Sequence, residues 1–238
     1  MDRLVTLGCS FTLDNFQKTW PDYLAEHLNL QCDNLGARGA GMDFVKNRLL
    51  SYRLMSSDTV IIMLPSADRF DWYIDQGNPL QQNALNIASW QNGKHSDFVQ
   101  LDGSLSDSSG FVLSGGEHRG EKRTWYKYFY SEYKASLDFW NSVYFLELYL
   151  KNKDINYRFT SAYDKHQLIE QLHNCGTDQD VTSIPVLRKI DFRNFIYYKD
   201  DKGFLSFTSE HKFEVVNNHP VTKAHKKFAE YLLGKGKL

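Results

Sequence analysis

Two rhythms of apolar and polar positions alternate along the chain. Leu4-Val5-Thr6-Leu7 is a short continuous apolar run that ends at Gly8, the pattern of a buried strand stopped by a sharp turn. Trp20 to Leu28 has helical apolar spacing, with Pro21 early, where a helix tolerates it. Leu30 to Leu35 predicts a second strand. It runs into Asn34-Leu35-Gly36-Ala37-Arg38-Gly39-Ala40-Gly41, a glycine-rich loop whose backbone can approach a ligand closely. Asp43 predicts the cap of a helix that continues to about Met55. Asp58 to Leu64 is the clearest buried strand, and Pro65 stops it. Strand, helix, strand, helix, strand predicts an α/β fold with a central parallel sheet covered by helices on both faces.

The middle of the chain loses this regularity. A long insertion is expected after the third strand, at about 65–125, and its stretch from about Asp75 to Lys122 is rich in Gly, Ser, Asp, Asn and Gln, with at most short elements of its own. Helical spacing returns from Tyr126 to Leu150 and predicts one long helix. Ile155 to Thr160 predicts a fourth strand, Asp164 to His173 a helix, and the aromatic stretch Phe192 to Tyr198 a candidate strand. Pro220 predicts the opening of a last amphipathic helix, with His219 at its N-terminus and Gly234 at its end.

Composition narrows the function classes. A length of 238 residues suits one domain, residues 1–238, with the insertion inside it. The 28 basic and 29 acidic residues leave a net charge of -1, without the basic excess that a nucleic-acid partner would want. No apolar stretch approaches a membrane span. Three cysteines, an odd number, argue against a disulfide framework and for a reduced compartment. The N-terminal apolar run is too short for a secretory signal, so a cytoplasmic location is expected. The oligomeric state is not legible.

Ser10 stands just past the first strand. In an open α/β sheet, ligands bind beyond the carboxyl ends of the strands, so its hydroxyl is a candidate nucleophile. The alternative is a serine that only caps a helix or closes a turn. A hydroxyl nucleophile needs a base within reach, and His219 is the candidate. The Ser10 N–H and one from the Gly36–Gly41 loop are candidate oxyanion donors. Cys9, beside Ser10, points the opposite way and is expected to be buried. His225 is read as a structural or surface residue.

Gly8-Cys9-Ser10-Phe11-Thr12, the Asn34-Leu35-Gly36-x-x-Gly39 loop and Asn218-His219-Pro220 together resemble the SGNH (GDSL-like) hydrolase family. The resemblance spans nearly the whole chain. It implies a flavodoxin-like three-layer α/β/α sandwich, a nucleophile at Ser10, a base at His219, an oxyanion glycine at Gly39, and no metal or cofactor. It implies an esterase, acetylesterase or lipase acting on a small-molecule or glycan ester. Two departures stand out. Where the family carries an Asp shortly before the His, this chain has Val216 and Asn217. Asn217 is the candidate third member, with Glu214, Asp200 or Asp201 as substitutes. Where the family carries an oxyanion Asn after the third strand, this chain reads Leu64-Pro65-Ser66-Ala67-Asp68-Arg69, which leaves Ser66 as a hydroxyl donor and Arg69 as a source of positive charge. Asp68 and Arg69 as a simple ion pair is the alternative. Arg69, Phe70 and Trp72, with Tyr73, are expected to shape the substrate pocket. The competing function is a binding or assembly module on the same fold with a decayed site.

Overall fold

We analysed a computed structural model of the chain, which describes residues 2–13, 16–77, 98–106, 109–113, 126–165 and 185–236. The chain runs from β1 (Arg3–Leu7) through α1 (Trp20–Leu28) to β2 (Gln31–Asn34), then α2 (Met42–Ser51) and β3 (Thr59–Leu64). Four short strands follow, β4 (Asp71–Ile74), β5 (Phe98–Val99), β6 (Leu105–Ser106) and β7 (Gly110–Leu113). The long α3 (Glu132–Asn152) returns the chain to β8 (Asn156–Ser161). The closing elements are α4 (Phe204–Glu210), β9 (Val215–Val216), β10 (His219–Pro220) and α5 (Thr222–Gly234).

β1, β2, β3 and β8 form a parallel sheet in the order β2-β1-β3-β8. Its two central strands are buried on both faces, which is why they read as continuous apolar runs. Alternate residues nevertheless serve opposite layers. Val5, Leu7, Val60 and Ile62 pack with Phe44, Leu49, Trp140 and Val143 of α2 and α3. Leu4, Ile61 and Met63 pack with Trp20, Leu24, Phe228 and Leu232 of α1 and α5. The architecture is therefore the expected three-layer α/β/α sandwich. Among the described residues, no helix is long and apolar enough to cross a membrane.

The insertion contributes an antiparallel sheet in the order β4-β7-β5-β6. β4 is joined to the main body through Asp71, whose carboxylate accepts the Gly41 N–H at 2.9 Å and the Phe44 N–H at 2.8 Å. It caps α2 from outside the helix, satisfying donors that Gly41, the local cap residue, has no side chain to reach. Asp43, the expected cap, instead lies in the first turn and pairs with Lys46 at 2.8 Å.

Several boundaries differ from the sequence reading. The helix expected from Tyr126 breaks at Phe129–Ser131, and Ser131 caps α3 by accepting the Lys134 N–H. The candidate strand at Phe192–Tyr198 is a 3-10 turn at Phe192–Asn194 followed by a single parallel bridge, Phe159↔Phe195. The bridge carries the Ile196 N–H to the Phe159 carbonyl at 2.8 Å, and the two phenylalanine rings stack at 4.9 Å. The last helix begins at Thr222, not Pro220, because His219 and Pro220 belong to a hairpin. Beyond Lys165, the helix expected at Asp164 to His173 lies outside the described residues.

Candidate active site

The site begins where β1 stops. Gly8 has φ +150°, and a Cβ there would meet Thr12 Oγ1 at 2.3 Å and the Met63 carbonyl at 2.7 Å. Only glycine fits, and the chain turns at once. The turn closes from the Thr12 N–H to the Cys9 carbonyl at 2.8 Å, which places Ser10 at its centre, 8% exposed. The Thr12 carbonyl is held by Asn34 Nδ2 at 2.7 Å and Thr19 Oγ1 at 2.6 Å. Ser10 is not the cap of α1. Thr19 takes that position, and its N–H donates to Asp22 at 2.8 Å.

A second tight turn lies beside the first. It closes from the Ala40 N–H to the Ala37 carbonyl at 3.2 Å, with Gly39 at φ +81°. The Ala37 N–H donates to the Gly8 carbonyl at 3.0 Å and locks the two turns together. Tight turns leave the N–H groups of their central residues unused. Among the described residues, nothing accepts from the N–H of Ser10, Phe11, Arg38 or Gly39. Two adjoining strand ends thus present unspent backbone donors, the raw material of an oxyanion hole.

His219 arrives from outside the sheet. Asn217 and Asn218 have φ of +49° and +63°, the left-handed pair required by a two-residue hairpin turn. This explains Asn-Asn before the histidine. His219 Nδ1 lies 2.8 Å from the Asn217 carbonyl. A carbonyl oxygen only accepts, so Nδ1 carries the hydrogen and Nε2 keeps its lone pair. Asn217 orients the imidazole, but through its backbone. Among the described residues, no carboxylate bonds to either ring nitrogen, and Asp201 instead pairs with Lys165 at 3.3 Å. The His219 ring packs on Phe11, the residue after Ser10, at 5.5 Å between centroids. Gln17 fastens the hairpin to the loop after Ser10, donating to the Pro220 carbonyl at 3.0 Å and accepting from Thr222 Oγ1 at 2.8 Å. His219 Nε2 is buried and, among the described residues, makes no hydrogen bond, to Ser10 included. Such bonds are often long before substrate arrives.

The end of β3 braces the turns. Ser66 gives its hydroxyl to Asp68, so this hydroxyl is already committed. Arg69 Nη1 donates to the Ala40 carbonyl at 3.1 Å, and its guanidinium lies against Cys9 and Tyr163. Burial works against its charge, but Cys9, Tyr163 and Asp68 outweigh burial and raise its pKa. Arg69 thereby links the loops after β1, β2, β3 and β8. Cys9 is fully buried in the α1/α5 layer, and His225 is buried against Phe204.

Phe70 and Trp72 stand further out, with ring centroids 4.6 Å apart. Together with Arg69 they line a cavity of about 310 Å³ closed on its other side by the N-terminal turns of α3. Ser10 and His219 do not line it. Sequence reasoning missed Asp71, whose carboxyl lines the same cavity and is pushed up to about 7 by burial, against the opposing N–H groups of Phe44 and Gly41. It also missed Gln17. Neither lies in a periodic pattern, and each acts on a partner distant in sequence.

No family model and no curated protein matches the chain. Solved structures do. A mutant of an acetyl-xylooligosaccharide esterase from Geobacillus matches with TM-score 0.50 and 14% identity, over 98% of this chain and 92% of that chain. A protein assigned to the G-D-S-L lipolytic family of Desulfitobacterium hafniense DCB-2 matches with TM-score 0.44 and 12% identity, over 97% of both chains. An acetyl xylan esterase matches with TM-score 0.45 and 11% identity, over 98% of both chains. At these identities the likeness is one of fold: the chain has the α/β sandwich of SGNH hydrolases.

Proposed function

We propose that this chain is a serine esterase that hydrolyses a carboxylic ester, with an O-acetyl group on a carbohydrate as the favoured substrate. Ser10 Oγ attacks the ester carbonyl while His219 Nε2 takes its proton. The oxyanion receives the N–H groups of Ser10 and Gly39. His219 returns the proton to the departing alcohol oxygen as the C–O bond breaks. Water then attacks the acyl-Ser10 carbonyl, again with His219 as base, releasing the carboxylic acid and restoring the serine.

The observation that carries this reading is the pair of locked turns, which brings unspent N–H donors from Ser10 and Gly39 to adjoining strand ends. The His219 tautomer supports it, because the Asn217 carbonyl leaves Nε2 as the acceptor. A carbonyl orients the ring but adds no full negative charge, so turnover is expected to be modest beside that of an Asp-supported site. The fold likeness to an esterase agrees with the reading.

Labelling with a fluorophosphonate probe tests it. Wild type is expected to label and to hydrolyse short acyl esters, and Ser10→Ala to do neither while keeping its circular dichroism spectrum. Absence of labelling in folded wild type would favour the binding-module alternative, for which the missing carboxylate at His219 is the supporting observation.

A further inference from the structure

The cavity beside Arg69 combines two kinds of lining. One wall is aromatic. Trp72, Phe70, Phe129 and Tyr130 line it, Trp72 and Phe70 at 4.6 Å between centroids, and Tyr126, outside the lining, bridges Phe70 and Tyr130 at 5.3 and 5.0 Å. Tyr126 is fixed by donating its hydroxyl to the Asp68 carbonyl at 2.8 Å. Phe129 lines the same space and is 74% exposed. The other wall is polar, and its charges are already balanced. Asp138 pairs with Lys134, Asp43 with Lys46, Asp68 holds the Ser66 hydroxyl beside Arg69, and Asp71 caps α2. Among the described residues, each charge on this wall has a partner. What remains is spare acceptor capacity on carboxylates set against ring faces.

We infer that this cavity is a binding subsite for a neutral pyranose ring, whose C–H face lies on the aromatic wall and whose hydroxyls donate to the carboxylates opposite. The volume of about 310 Å³ is at the small end of ligand sites and suits one sugar ring rather than a chain. Arg69 lines the cavity and donates to the Ala40 carbonyl, next to Gly39, so the subsite adjoins the candidate oxyanion turns. A link between this subsite and Ser10 rests on the esterase reading; sugar binding itself does not.

Saturation-transfer NMR on full-length Ser10→Ala protein with unesterified xylobiose, cellobiose and N-acetylglucosamine tests binding without turnover. The expected result is transfer to the ring protons of at least one sugar. Affinity should be about tenfold weaker in Phe129→Ala and weaker still in Trp72→Ala. Phe129 is exposed, so its variant stays informative if Trp72→Ala fails to fold. No transfer from any of the three sugars, or transfer that Phe129→Ala leaves unchanged, would overturn the subsite. So would stronger binding of the flat probe adenosine that displaces the sugar. Fluorophosphonate labelling of wild type is read separately: labelling without sugar binding rejects the subsite and keeps the esterase, and sugar binding without labelling does the reverse.

Discussion

The turns that carry Ser10 and Gly39 and the hairpin that carries His219 adjoin, but they are held by different means. The turns grow out of the buried sheet. Gly8 is wedged against Met63, Asn34 and Thr19 share the Thr12 carbonyl, and Arg69 braces the loops from below. The hairpin has a two-residue ladder, exposed valines on β9 and, among the described residues, one hydrogen-bonding side-chain tether, Gln17. The donors that would meet a developing oxyanion are therefore fixed by the core, whereas the base is positioned by a peripheral element. A site divided in this way should tolerate change at its base support far better than at its turns.

The comparison can be broken or sharpened by substitution. His219→Ala is expected to lower ester hydrolysis by about 10²- to 10⁴-fold with little change in melting temperature, because in the proposed mechanism the ring is the base and it contributes little to the fold. Steady-state kinetics beside thermal melting reads both. Gly8→Ala should destabilise the whole domain by about 3 kcal/mol, since the new Cβ meets backbone at Met63 and φ +150° disfavours any side chain. Urea unfolding would measure it, and an unchanged midpoint would show that the first turn is looser than described. Gln17→Ala removes the tether and should cost about 1 kcal/mol. Its larger effect should fall on turnover, seen as reduced kcat at nearly unchanged melting temperature. Asn217→Gly should come closest to wild type, within about threefold in activity, because the group that meets His219 is a carbonyl and the φ suits glycine. A loss as large as that of His219→Ala would assign the work to the Asn217 side chain instead.

Asp71 offers a test of the frame rather than of the site. Burial raises its pKa to about 7, so between the unfolded carboxylate value of about 4 and pH 7 the folded chain holds a proton that the unfolded chain has lost. Stability from this group is greatest below pH 4 and declines as pH rises toward 7. Urea midpoints of wild type should fall from pH 5 to pH 8, and Asp71→Asn, which keeps an acceptor for Gly41 and Phe44, should flatten that fall.

Much of this was legible along the chain. The apolar runs of β1 and β3, the spacing of α1 and the glycine loop after β2 describe local preferences, and local preferences survive folding when the core agrees with them. Ser10 was a candidate because it follows a strand end, and Gly39 because its loop resembles the SGNH (GDSL-like) pattern; the structure sets each in a tight turn. The errors fall where a distant partner overrode the local signal. Asp43 looked like a cap until Asp71, from another sheet, took the Gly41 and Phe44 N–H groups. Pro220 looked like a helix start until Asn217 and Asn218 turned the chain back on Val216. Arg69 looked available as a free positive charge, and the fold gave it the Ala40 carbonyl, 29 residues away, while the Ser66 hydroxyl is taken locally by Asp68.

The amino-acid order alone determined the α/β class, the place of each central strand and the residue types needed for hydroxyl chemistry, because these follow from periodicity and backbone sterics over a few residues. Only the tertiary structure decided that the two turns lock through Ala37 and Gly8, that a backbone carbonyl orients His219, and that Phe70 and Trp72 close a cavity with α3. Those contacts join segments tens to hundreds of residues apart, and they form only when burial of the shared core brings the segments together.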